Sequence, residues 1–204
     1  MRDKKSVLAI MVGLVIITLA SCGMTPELKV NYSLPQSTSQ LRGHDIFLDF
    51  EDNRPNKQIF GRGAQEEFKR FPGNFSFSIA QHGEGGFKIG LYDMQSMFKE
   101  AVKRRLESQG MRVFLDDQAG RLKLVIGLKE FSMDLVKRKW RASMTYEARL
   151  IIDGKVRSRQ TVSGNGERVK IIRHEQADIL IGEVFTDIIN KLDVYKMFKK
   201  TGII

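Results

Sequence analysis

The sequence predicts an α+β domain in two layers, a mostly antiparallel sheet packed against two long amphipathic helices. Three observations predict it. From Leu122 to Val162 apolar and polar residues alternate over long runs, the period-two pattern of strands with one wet face. Asp93 to Gln109 and His174 to Leu192 carry apolar residues at three- and four-residue spacing, the stripe of a helix lying on a core. Asp153-Gly154 falls between two alternating runs and reads as a two-residue hairpin turn. Two such helices can cover the apolar face of one sheet.

Taken in order, residues 22–43 carry Pro26, Pro35 and the polar run Gln36 to Gln40, and are read as a flexible tether. The alternative for Leu28 to Leu34 is an edge strand. The domain proper is expected over residues 44–204. Ile46, Leu48 and Phe50 share one strand face, and Asn53 to Asn56 ends it. Residues 57–90 are less regular. Asn74 to Ala80 alternates as a strand, His82 to Gly86 is a glycine-rich turn, and Phe87 to Ile89 returns as a partner. In the first helix Met94, Phe98, Ala101, Val102 and Leu106 form the stripe, with Asp93 as N-cap and Gly110 as stop. Met111 to Leu115 is a short strand. Leu122 to Leu128 and Trp140 to Ile152 alternate, the chain returns over Val156 to Val162, and Gly164-Asn165-Gly166 closes the meander. In the last helix Ala177, Leu180, Ile181, Val184, Phe185, Ile188, Ile189 and Leu192 form a wide apolar stripe, and a short helix, Val194 to Lys200, follows Asp193.

The N-terminus carries the most specific signal. Arg2, Lys4 and Lys5 precede an apolar run from Val7 to Ala20, about fourteen residues against the roughly twenty that a spanning helix needs. A basic start, a short apolar centre and small residues at its end describe a secretory signal over residues 1–21. Leu19-Ala20-Ser21-Cys22 has the form of a bacterial lipobox. Leu19, Ala20 and Ser21 are the expected signal-peptidase recognition residues. Cys22 is the expected site of lipid attachment, because a thiolate is the nucleophile that accepts a diacylglyceryl group. Two or three acyl chains hold a protein at a bilayer where one does so only marginally. Gly23 and Met24 follow, with no Asp directly after the cysteine, which favours the outer membrane over the inner one. The only cysteine is thereby used, so no intrachain disulfide is expected. Without residues 1–21 the chain holds 31 basic and 23 acidic residues, a net charge of about +8.

Several segments together resemble the YajG-type family of bacterial lipoproteins. They are Cys22 in its lipobox, Asp52-Asn53-Arg54 after the first strand, Arg105 to Val113, Leu122 to Phe131, and Gly182 to Lys200. The resemblance implies a membrane-anchored α+β domain facing the periplasm, with no assigned catalytic residues. A looser similarity is to auxiliary lipoproteins of envelope lipid transporters.

No constellation predicts an enzyme. Asp49, Glu51 and Asp52, with His44 nearby, are close in sequence, but alternation sends Asp49 and Glu51 to the wet face and Asp52 to a turn. His44, His82 and His174 have no metal-ligand spacing, and no G-x-S-x-G or complete phosphate loop is present. No cofactor and no metal are expected. The remaining candidate is a basic surface for an anionic partner, formed by Lys137, Arg138, Lys139 and Arg141 on one strand and by Lys155, Arg157 and Arg159 on its hairpin neighbour. A two-residue turn at Asp153-Gly154 sets Arg157 opposite Leu150 and Arg159 opposite Ala148, which conflicts with a wet face for the arginines. A bulge, or a sheet projecting past its helices, would resolve it. Export makes nucleic acid an improbable partner; an envelope protein, anionic lipid or peptidoglycan is expected. The whole reads as a non-enzymatic outer-membrane lipoprotein, a binding or scaffolding module facing the periplasm. The alternative is an accessory lipoprotein of an envelope lipid-transport system, which needs an apolar groove between helix and sheet.

Overall fold

The structure is a computed structural model that describes residues 27–81, 87–115, 122–171 and 174–204, with residues 87–89 as backbone. Its elements are β1 (Leu28–Leu34), β2 (Asp45–Asp52), α1 (Arg62–Glu67), β3 (Phe75–Gln81), β4 (Phe87–Tyr92), α2 (Met94–Glu107), β5 (Arg112–Phe114), β6 (Leu122–Val136), β7 (Lys139–Ile152), β8 (Lys155–Val169), α3 (Glu175–Asn190) and α4 (Val194–Thr201). The fold class is the expected one, α+β with most strand residue pairs antiparallel. The strands divide between two sheets, of order β5-β2-β6-β7-β8 and β1-β3-β4. β6, β7 and β8 form the antiparallel meander, whereas β2 runs parallel to both β5 and β6, and β1 runs parallel to β3.

The aromatic residues explain how two sheets share one core. Phe98 of α2 and Phe185 of α3 meet edge-on with centroids 5.0 Å apart. Phe98 reaches Phe50 and Phe131 of the large sheet, and Phe185 reaches Tyr32 and Phe77 of the small one. Perpendicular aromatic packing of this kind adds about 0.5–1.5 kcal/mol per pair to the burial itself. The two phenols that enter the core are matched: Tyr146 Oη donates to the Ile188 carbonyl at 2.8 Å, and Tyr32 Oη donates to Asn190 Oδ1 at 2.9 Å. Burial pushes both phenols well above their usual range. Asp93 and Asp193 cap α2 and α4 by accepting from the Ser96 and Lys196 amides.

The tether expectation fails from Leu28 onward, and the edge-strand alternative holds. β1 alternates buried and exposed residues along its whole length, and Leu28, Val30 and Tyr32 are fully buried. Its inner edge pairs with β3. Its outer edge is covered by α3, whose side chains satisfy the strand's backbone. Asp178 accepts from the Lys29 amide, Thr186 Oγ1 accepts from the Ser33 amide, and Asn190 Nδ2 donates to the Ser33 carbonyl. An uncovered strand edge would leave those groups unpaired. Gly182 lets the helix come this close, since a Cβ there would stand 3.0 Å from the Asn31 carbonyl oxygen. Residues 36–41 are also held, through the Thr38 and Leu41 amides donating to the Ser108 and Gln109 carbonyls.

Two turn expectations are also corrected. Gly164-Asn165-Gly166 does not close the meander; β8 runs on to Val169. The glycines sit where α3 crosses the strand, and a Cβ would lie 2.6 Å from Ile188 Cγ2 at Gly164 and 2.8 Å from Leu180 Cδ1 at Gly166. The meander also contains a second two-residue hairpin, between β6 and β7, with Lys137 and Arg138 at its tip.

Candidate functional site

β7 decides how the predicted basic surface is laid out. Lys139 begins it and Ile152 ends it, so fourteen residues separate the two clusters by about 44 Å at strand rise. The structure therefore does not bring Lys137, Arg138, Lys139 and Arg141 together with Lys155, Arg157 and Arg159. They occupy opposite ends of the molecule.

The first cluster lies at the end where the chain enters the domain. Leu28 pairs with Phe75, which pairs with Tyr92, and Asp178 in the first turn of α3 receives the Lys29 amide. The Lys170 amide donates to the Arg138 carbonyl at 2.8 Å, joining the β6–β7 tip to this end. Lys139 and Arg141 are not available cations, because both pair with Glu167, at 2.6 and 3.5 Å. Those contacts hold the Glu167 carboxyl below its usual range. Arg141 and Glu167 also border an open cleft of about 860 Å³ on the outer face of the meander, with Ser132, Asp134 and Asn165. Lys137 and Arg138 are exposed and make no ion pair among the described residues.

At the opposite end the register conflict is resolved by a bulge. The pairing shifts between Leu150 and Ile151, so that Leu150 faces Ser158, Ala148 faces Gln160 and Arg149 faces Arg159. One extra residue, Arg157, is accommodated, and neither guanidinium is forced against Leu150 or Ala148. Lys155, Arg157 and Arg159 are all exposed. Arg159, Lys196 and Lys200, which make no ion pair among the described residues, surround a cleft of about 230 Å³ with Gln160, Asp193 and Lys191, the last paired with Asp187 at 2.6 Å. Gln160 fixes its wall, donating to the Lys191 carbonyl and accepting from the Asp193 amide. The three lysines were missed in the sequence. Their signal was the 196/200 spacing on one face of α4, but only the docking of that helix against β8 places it beside Arg159.

The carboxylates are engaged singly rather than convergent. Asp49 binds Lys123 at 2.8 Å and Glu51 binds Arg149. Asp52 accepts two hydrogen bonds from Arg54, each at 2.9 Å, which hold its carboxyl well below the usual range. Burial favours the neutral form of Asp49, but hydrogen bonds from Lys123 and the Phe50 amide outweigh it and lower its pKa. His44 packs edge-on against Phe198, and His174 lies tilted over Phe68 with ring centroids 4.7 Å apart. Among the described residues no three His, Cys, Asp or Glu side chains are grouped to hold a metal. Phe98, Phe131, Phe185 and Trp140 are 2 % exposed or less and pack between helices and sheets, so among the described residues no acyl-chain groove opens at these four side chains. Leu19, Ala20, Ser21, Cys22 and His82 lie outside the described residues. No helix among the described residues is long and apolar enough to cross a membrane.

No family model matches the chain, and no curated protein matches it in sequence. A minor lipoprotein from Acinetobacter baumannii aligns with 10% identity over 78% of this chain and 94% of its own, at a TM-score of 0.39. A protein from Xanthomonas campestris, of the family DUF330, aligns with 13% identity over 86% of this chain and 96% of its own, with a TM-score of 0.51. The likeness to the latter is one of fold.

Proposed function

We propose that this chain is a lipid-anchored protein of the bacterial cell envelope, a non-enzymatic binding or scaffolding module held at the outer membrane and facing the periplasm. The observation that carries the reading is the lipobox Leu19-Ala20-Ser21-Cys22 behind a short apolar run with a basic start. The quoted YajG-type segments support it. Cys22 supplies attachment. The contact surface is the basic end built from Arg159, Lys196 and Lys200, unpaired among the described residues and flanked by the Lys191–Asp187 pair, whose cleft fits an anionic envelope component. The packing of Phe98, Phe131, Phe185 and Trp140 between helices and sheets speaks against the alternative in which the domain itself carries a lipid.

Mass spectrometry of the mature N-terminus tests the anchor. A diacylglyceryl thioether on Cys22 is expected, and an unmodified thiol on a chain that retains its initiator methionine would overturn the reading. Photo-crosslinkers at Arg159 and Lys196 in intact cells test the contact surface. They should capture an envelope component that the same group at Ser132 does not; equal capture at both sites would remove the assignment.

A further inference from the structure

We propose that the end of the domain nearest Cys22 seats directly on an anionic phospholipid surface, with Leu91, Val169 and Ile171 entering the headgroup region and Arg70, Lys137 and Arg138 facing the phosphates. The inference rests on the lipid anchor proposed above. Five residues lie between Cys22 and Leu28, so the chain can extend at most about 20 Å before β1 begins. β1 is locked into the fold, and its first residue therefore stays near the bilayer.

Three independent features converge on that end. The first is apolar exposure. Ile171, Leu91 and Val169, at 69, 63 and 56 %, are the most exposed large hydrophobic residues among those described. All three lie at this end. Leu91 precedes Tyr92, the partner of Phe75; Val169 closes β8 opposite Lys139; Ile171 follows Lys170, which is bonded to the hairpin tip. A single exposed aliphatic side chain is ordinary on a protein surface; three of them at one end of the domain point to a contact with something apolar.

The second feature is charge. Arg70 follows Phe68, which packs on Trp140 and His174 beside the hairpin tip. Arg70, Lys137 and Arg138 are exposed and form no ion pair among the described residues, while Lys139, Arg141 and Lys170 beside them are paired with carboxylates. Cations unpaired in solution are those free to meet a phosphate. The third is backbone conformation. Arg70, Lys137 and Arg138 all have positive φ, of 66, 48 and 62°. L-residues adopt this region at a cost, so the tip presents two long cations where Asn-Gly would fit with less strain. Cations beside exposed aliphatic side chains form the recognition chemistry of an interfacial protein surface.

The test uses the mature lipoprotein, purified with its acyl chains and placed in vesicles of phosphatidylcholine alone or mixed with phosphatidylglycerol. Nitroxide labels go on Ile171→Cys, on Leu91→Cys and, at the opposite end, on Val156→Cys. On the phosphatidylglycerol vesicles the labels at 171 and 91 should be shielded from a water-soluble nickel quencher several-fold more than the label at 156. Lys137→Glu with Arg138→Glu should remove much of that difference. A vesicle-bound protein whose labels at 171 and 156 are equally open to nickel would overturn the seat while leaving the anchor intact. Equal shielding on both vesicle types would overturn the anionic preference. An anchor failure is separately visible, as a chain that carries no acyl mass on Cys22 and does not float with the vesicles.

Discussion

Replacing Lys137-Arg138 by Asn-Gly should stabilise the protein. The two residues form the β6–β7 turn with φ of 48 and 62°, both in the left-handed region, as a type I′ turn requires. A residue with a Cβ is disfavoured there by roughly 1–2 kcal/mol, and Asn and Gly relieve most of that. The native side chains return little, since neither makes an ion pair among the described residues and both are exposed. Some of the gain is offset because Gly loses more chain entropy on folding, by about 0.5–1 kcal/mol. The net expectation is about 1–2 kcal/mol, which for a chain of this size raises Tm by roughly 2–8 °C. The assay is reversible thermal or urea unfolding of the mature chain, followed by circular dichroism. If Asn-Gly at this turn leaves the unfolding midpoint unchanged, the tip is not strained and does not trade stability for cations at that end.

Gly182→Val drives two methyl groups toward the Asn31 backbone, and should cost about 2–3 kcal/mol in urea unfolding while selectively speeding amide exchange at Lys29 and Ser33, whose amides donate to α3; unchanged exchange there would deny that α3 holds β1. Burial pushes the Asp178 carboxyl up to about 6, above its unfolded value, so its contribution to stability is fully present below about pH 4 and is lost as pH rises through 6. Asp178→Asn keeps an acceptor for the Lys29 amide and should flatten the pH dependence of stability between about pH 4 and 6; it should gain less than about 3 kcal/mol at pH 7, because the group keeps some water and lies in the first turn of a helix. A variant with the native slope would show that another group is responsible.

Legibility of the sequence followed locality. α2, α4 and the β7–β8 turn carry their determinants within a few residues: Asp93 caps Ser96, Asp193 caps Lys196, and Asp153-Gly154 has the required φ values. The missed elements draw theirs from afar. α1 has no side-chain cap of its own; Asp134, on β6, accepts from the Gly63 and Ala64 amides, some seventy positions away. β1 is polar at alternate positions and followed by proline, and what makes it a strand is β3 on one side and α3 on the other. Gly164 and Gly166 carried a turn signal in composition, but their role is to admit Ile188 and Leu180 of a helix not yet in view. The basic surface failed in the same way. Counting charges along a hairpin ignored its length and the carboxylate of Glu167 across the strand.

The placement of β1 changes what lipid attachment would do. A flexible tether of twenty residues would leave the domain free to tumble some 25 Å from the bilayer, with either end presented to it. With only five residues between Cys22 and a buried strand, that attachment would confine the Leu28 end near the surface. The cleft of Arg159, Lys191, Lys196 and Lys200 then belongs to the other end, about 44 Å further along β7. Screening limits a charged surface to about 8–10 Å at physiological ionic strength. On the proposed anchoring, the two basic ends cannot serve the same anionic surface when the domain stands on its Leu28 end. One is fixed by the chain to the membrane that holds it, and the other is left for a partner arriving from the periplasm.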